Sequence, residues 1–230
     1  WKVMQCVKLV TDSLDEIADY LPGEIATEFK YPDLKQAFID IHQPKDLASA
    51  EVARERLTFD EALLLQLLLG QRRAEIVKLT TKNRTPNTPV LVKAFEAKLP
   101  FKYTLGQQAV NAEIEKDLSN NYPMHRLLQG EVGSGKTVVA LRAMLAAVDS
   151  GGQAALLAPT EVLATQHFTT INRILGPLAA AGTLGGSEHG TRVALLTGSM
   201  SAATKREVLA EIASGSAGIV IGTHALLSEG

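Results

Sequence analysis

Apolar positions recur along this chain in three rhythms, and each rhythm predicts a different kind of element. From Trp1 to about Gln43 they come in short groups. Val3, Cys6, Val7, Leu9 and Val10 predict a short strand, too short to build a sheet by itself. Two short helices follow. Pro22 suits a first helical turn, and Asp33 precedes Leu34, Ala37, Phe38 and Ile41 at helical spacing. From Ser49, a residue suited to N-capping, the pattern predicts one long helix reaching Leu79. Within it Leu63, Leu64, Leu65, Leu67, Leu68 and Leu69 occupy nearly every face. Such a helix is expected to be buried between other elements, bracing two domains, and to be adhesive if left uncovered.

The third rhythm begins near Val90, after a linker Thr85-Pro86-Asn87-Thr88-Pro89 that predicts a domain boundary. Short, continuously apolar runs alternate there with helical patterns. Strands are predicted ending at Gln129 and over Ala154–Ala158, Val193–Leu196 and Gly218–Gly222. Helices are predicted over Val138–Asp149, Glu161–Leu175 and Ala202–Ala213. The pattern implies an α/β fold with a parallel sheet covered on both faces. Gly182 to Gly190, with four glycines, predicts a flexible loop, and no internal repeat is visible.

Composition changes this picture little. Of 230 residues, 46% are hydrophobic and 21% charged, as in a soluble globular protein of one large or two small domains. A formal net charge of −2 is not that of a dedicated basic nucleic-acid module, though a local basic groove is compatible with it. Arg72, Arg73, Lys78, Lys82 and Arg84 cluster against Glu75. They form either a DNA-facing strip or, the preferred reading, a solvated helix end complementing the helix dipole. Cys6 is the single cysteine, so no internal disulfide can form; it fits a reducing cytoplasm and reads as a strand hydrophobe. The richest apolar run, Ala62 to Leu69, falls well short of the ~20 residues of a membrane span. No secretory signal is visible, and a start at Trp1 suggests a fragment or processed product. No histidine, cysteine and carboxylate cluster has the spacing of a structural zinc site.

The chemistry concentrates in Gly130-Glu131-Val132-Gly133-Ser134-Gly135-Lys136-Thr137, which matches G-x-x-x-x-G-K-[ST] at every fixed position. Chain that wraps a phosphate needs glycines for its backbone angles and close approaches. Successive amides then point inward as an anion nest, and the helix that follows adds its free N–H groups. Lys136 is expected to reach the β- and γ-phosphates of a nucleotide, and the Thr137 hydroxyl to coordinate Mg²⁺. The loop alone does not separate kinases, GTPases, transporters and helicases.

The flanking segments narrow the choice. Leu99-Pro100-Phe101-Lys102-Tyr103-Thr104-Leu105-Gly106-Gln107 resembles the adenine-reading segment of superfamily 2 DNA helicases. Ala158-Pro159-Thr160-Glu161-Val162-Leu163-Ala164-Thr165-Gln166-His167 resembles their next motif. Leu196-Thr197-Gly198-Ser199 and Ile221-Gly222-Thr223-His224-Ala225-Leu226-Leu227 resemble two more. Arg54 to Leu63 looks like a helix joining a wedge domain to a motor. Together these resemble the RecG family of bacterial branched-DNA helicases, strongly from Leu99 and moderately over Tyr31–Arg73.

That resemblance implies a RecA-like parallel sheet, with residues 1–45 a remnant of an oligonucleotide-binding wedge, 46–89 a linking helix and linker, and 90–230 the first part of the first motor domain. It implies ATP and Mg²⁺ as cofactors, forked or branched double-stranded DNA as partner, a monomer, no membrane, and a bacterial cytoplasmic location. Gln107 would read the adenine edge, and Phe101 would stack beside the base or belong to the core. Thr160 and Glu161, Thr197, Gly198 and Ser199, and Thr223 and His224 would meet DNA from strand ends, although Thr160 equally suits N-capping. After Thr137 the acids are Asp149, Glu161, Glu188, Glu207, Glu211 and Glu229, and none forms the family's Asp-Glu box. This stretch alone is therefore expected to bind nucleotide without hydrolysing it. Two alternatives stay open: a duplex translocase of the transcription-repair coupling type, and a non-catalytic nucleotide-sensing module. A phosphate-loop kinase is disfavoured, because no lid or acceptor site is visible.

Overall fold

The computed structural model describes residues 2–13 and 18–227. It divides into two compact units, Trp1–Ile76 and Val77–Gly230. No helix among the described residues is long and apolar enough to cross a membrane.

The regular elements among the first unit's described residues are all helices: α1 (Lys2–Asp12), α2 (Gly23–Phe29), α3 (Leu34–His42) and most of α4 (Leu47–Lys78). The strand expected around Val3–Val10 is therefore helix α1. Val3, Val7 and Val10 stand four and three residues apart, which aligns them along one helix face as readily as along a strand. Asp33 caps α3 by accepting from the Gln36 amide. Helix α4 opens on a reciprocal cap: Asp46 accepts from the Ser49 amide at 2.7 Å, and Ser49 Oγ accepts from the Asp46 amide at 3.2 Å. The cap is thus Asp46 rather than Ser49, which sits inside the first turn.

The polar centre of this unit is Arg56, wholly buried on α4. Its guanidinium donates to Asp19 at 2.7 Å, to Asp60 at 3.0 Å and to the Pro32 carbonyl at 3.2 Å. Beside it Phe29, Tyr31 and Phe59 cluster with ring centroids 5.4 to 5.6 Å apart. The leucine band does not share this burial. Leu64, Leu65, Leu67 and Leu68 are all exposed, contrary to the sequence expectation. Leu63, Leu64 and Leu67 line an open apolar groove with Tyr20, Leu34 and Phe38, and no described residue of this unit fills it.

The second unit holds α5 (Val90–Lys98), α6 (Leu105–Leu118), α7 (Lys136–Asp149), β1 (Ala154–Leu157), α8 (Glu161–Leu175), β2 (Arg192–Leu196), α9 (Ala202–Ala213) and β3 (Ala217–Gly222). The strands are parallel in the order β1-β3-β2, as expected of an α/β fold. Ile219 and Ile221 of β3 pack on one face against Phe95 of α5, Leu141 and Leu145 of α7, and Ile171 and Leu175 of α8. Val220 faces the other way, with Ala194, Ala217 and, from α9, Val208 and Ile212. Both faces are covered at β2 and β3, but Ala155 and Leu157 of β1 remain exposed.

Two features depart from the sequence reading. Among the described residues no strand precedes the glycine loop. A strand needs a hydrogen-bonded partner, and the segment into Gln129 lies outside the three-stranded ladder. Arg126 instead ties it to Glu113 and Asp117 of α6. Helices α5 and α6 were not singled out in the sequence. Pro89 gives α5 no side-chain cap, so Asp149, at the far end of α7, accepts from the Leu91 and Val92 amides at 3.0 and 2.9 Å. Arg142 of α7 then pairs with Glu96 of α5 and Glu115 of α6.

Candidate functional site

Helix α7 leads almost directly into β1, which brings its C-terminal end to the start of the sheet. A side chain at Gly218, early in β3, would meet Val148 near the end of α7 at 2.9 Å. The opposite end of α7, with the glycine loop, therefore points toward the carboxyl ends of the strands, where folds of this kind bind ligands.

The loop has the backbone its glycines were expected to provide. Gly133 and Gly135 adopt φ of 86° and 83°, a region that strains other residues. A Cβ at Gly130 would lie 2.8 Å from Ser134 Oγ, and one at Gly135 only 2.5 Å from Gln107 Nε2. Gly135 is also the residue before α7, and it offers no side-chain cap. Helices α3, α6, α8 and α9 all begin with an Asp, Thr or Ser that bonds a first-turn amide. The first-turn amides of α7 thus keep their positive end for something else. Lys136 reaches back over the loop, its ammonium donating to the carbonyls of Gly130 at 2.8 Å and Glu131 at 2.7 Å. Thr137 follows it, half-buried, in the same first turn, and Glu131 and Val132 are exposed at the tip.

Gln107 closes the arrangement from α6. Thr104 and Gln107 form a capping box, the Gln107 carbonyl oxygen accepting from the Thr104 amide at 3.0 Å. Its amide nitrogen donates to the Ser134 carbonyl at 2.9 Å. Helix α6 is thereby fastened to the loop at one end by Gln107 and to the segment before the loop by Arg126. Thr104, Gln107, Val110, Leu128, Gln129, Gly130, Ser134, Lys136 and Val139 line a cleft of about 250 Å³. Phe101, about half exposed, is not part of that lining. Thr104, Arg126 and Val110 were not picked out in the sequence, although Thr104-x-x-Gln107 carries the capping-box signature.

The other candidates stand at the ends of the strands. Thr160 follows β1 and caps α8, accepting from the Leu163 amide at 3.3 Å. Thr197, Gly198 and Ser199 follow β2; Thr223 and His224 follow β3. Thr197 is buried, its hydroxyl 3.5 Å from Ser199 Oγ, so Gly198 and Ser199 are the ones facing solvent. Glu161 reaches across to this turn: its carboxylate accepts from the Ser199 amide at 2.9 Å and the Ser199 hydroxyl at 2.6 Å. Those bonds hold its carboxyl below the ordinary 4.5. Among the described residues no group of three or more histidines, cysteines or carboxylates could hold a metal by itself. Glu229 lies outside the described residues.

Residues 104–229 match the family of DEAD/DEAH box helicases. The ATP-dependent DNA helicase RecG of Mycobacterium tuberculosis is 50% identical over 229 residues, covering all of this chain and 31% of its own length. That of Aquifex aeolicus is 37% identical over 92% of this chain and 26% of its own. A solved structure described as RecG bound to a three-way DNA junction aligns with a TM-score of 0.77 at 35% identity, covering 92% of this chain and 27% of that one. The chain spans about a third of the length of the curated relatives it matches.

Proposed function

We infer function from one premise: the chain belongs to the DEAD/DEAH box helicase family. We propose that the protein is an ATP-dependent DNA helicase or translocase acting on branched DNA, such as forks and four-way junctions, in recombination and repair. It would work as a monomer in the bacterial cytoplasm. Relatives sharing half of its residues are ATP-dependent DNA helicases, and a solved relative at 35% identity holds a three-way junction.

The observation that carries this reading is the uncapped N-terminus of α7 behind a glycine loop that Lys136 bridges. Two loop carbonyls now satisfy that ammonium, and a phosphate oxygen would be a stronger partner. Gly130, Glu131, Val132, Gly133, Ser134 and Gly135 would hold the phosphates through backbone amides, with Lys136 alongside and Gln107 at the base. Thr137 would supply a hydroxyl to Mg²⁺, an ion that takes few protein ligands and would neutralise phosphate charge. Thr160, Gly198, Ser199, Thr223 and His224 would meet the DNA backbone along the sheet edge.

Titration with a fluorescent ATP analogue and Mg²⁺ tests the nucleotide half. Lys136→Ala is expected to weaken binding at least ~tenfold, because charge-assisted contacts are lost; unchanged affinity would refute the assignment. Within the described residues no strand ends in an Asp-Glu pair. These 230 residues taken alone, about a third of the length of the relatives they match, are accordingly expected to bind nucleotide and to release no phosphate above background. Turnover that Lys136→Ala abolishes would contradict that. Junction DNA should bind more tightly than linear duplex of equal length.

A further inference from the structure

We propose that Glu161 is a positioning residue that fixes the DNA-facing edge without touching DNA, an inference resting on the function proposed above. Strands β1 and β2 are not neighbours, because β3 lies between them. At about 4.8 Å per strand, their ends stand roughly 10 Å apart. Helices α8 and α9, which start from those ends, pack on opposite faces of the sheet. The ladder relates the turn after β2 to the turn after β1 only through β3, on whose Gly222 both strands end. The Glu161 side chain spans that gap with two bonds to Ser199.

One carboxylate thus ties together two of the three turns that carry candidate DNA contacts, those after β1 and β2. The local sequence is fitted to it: a side chain at Gly198 would lie 3.1 Å from Glu161 Oε1, crowding the bridge. A direct DNA role for Glu161 is unfavourable, since an ionised carboxylate repels a phosphate. Its value to binding comes through the placement of Ser199 and its neighbours.

The test exploits a conflict of signs. Removing a negative charge near DNA by itself tightens binding. If Glu161 positions the edge, Glu161→Gln and Glu161→Ala weaken it instead. Fluorescence anisotropy with a labelled three-way junction should order affinity as unmodified protein, then Glu161→Gln, which keeps one acceptor, then Glu161→Ala. The alanine variant should be about tenfold weaker, the scale of hydrogen bonds to a charged group. Glu188→Gln, an equal charge change on an exposed loop, should bind no more weakly than the unmodified protein. Ser199→Ala should weaken binding too, and combining it with Glu161→Gln should add little. ATP-analogue affinity should stay constant throughout.

Glu161 variants that bind the junction as tightly as Glu188→Gln, or more tightly, overturn the proposal while leaving the helicase reading intact. Loss of nucleotide and junction binding together overturns it as well, by showing a general loss of structure. Failure of the unmodified protein to bind the junction overturns the function reading first, and this inference with it.

Discussion

Arg56 and Lys136 are both long cations, and their partners set them apart. Arg56 is wholly buried and meets two carboxylates and a carbonyl in fixed geometry. Burial works against its charge, but the hydrogen bonds to Asp19 and Asp60 hold its pKa above the ordinary value. Removing it would leave Asp60, itself buried, without its counter-charge. Arg56→Ala should therefore destabilise the first unit by ~3–5 kcal/mol, read from urea unfolding. Arg56→Lys should recover only part of that, since an ammonium lacks the two-pronged fork. The network also sets a pH dependence. Asp19 is held below its ordinary 3.8, chiefly by the hydrogen bond from Arg56. A depressed carboxylate contributes stability that is present above its unfolded value and is lost as pH falls through the folded one. Acid unfolding of this unit, followed by circular dichroism, should thus begin below about pH 4, and Asp19→Asn should remove that part of the pH dependence. Lys136, by contrast, rests on carbonyls at an exposed loop, where losing it should affect binding far more than stability.

Among the elements, legibility followed the range of the interaction, except at α6, whose local Thr104–Gln107 capping box was not read as a helix start. Helices α3, α7, α8 and α9 and all three ladder strands were readable because their signals are local: a capping residue, an apolar period, a closing glycine. Helix α5 was missed because its cap comes from Asp149, 58 residues away from Leu91 in sequence. Helix α1 was misread because valines three and four residues apart fit either period over so short a run. The strand before the loop was expected from its apolar residues, yet pairing decides a strand, and pairing is not local. The glycine loop was legible since its spacing encodes its geometry. The bridge from Glu161 to Ser199 was not, because it joins residues 38 apart around an intervening strand. Asp149 offers a direct check. Asp149→Ala removes two acceptor bonds at the start of α5 and should cost the second unit ~1–2 kcal/mol in thermal unfolding. An unchanged melting temperature would show that Pro89 and packing alone start that helix.

At the scale of the whole molecule, charge separates two accounts of how DNA is held. The net charge is −2, and the turns at the sheet edge offer hydroxyls, amides and one histidine rather than lysines or arginines. Neutral donors position a phosphate but release no condensed counterions. Binding through this edge should therefore weaken only shallowly with salt, each neutralised phosphate adding ~0.9 to the slope of log K against log salt. The basic cluster near the end of α4 would give a steeper dependence if it faced DNA. The Arg84 guanidinium lies against Gly152, where an added Cβ would meet it at 2.3 Å. Arg72 and Arg73 are exposed and free to contribute. Replacing both with glutamine distinguishes the accounts. A solvated helix end predicts the same junction affinity and salt slope as before. A DNA-facing strip predicts a slope shallower by about 2 and an affinity loss that grows as salt is lowered. The first outcome is expected, because neutral donors already line the ends of all three strands, and cations in the last turns of α4 complement its helix dipole.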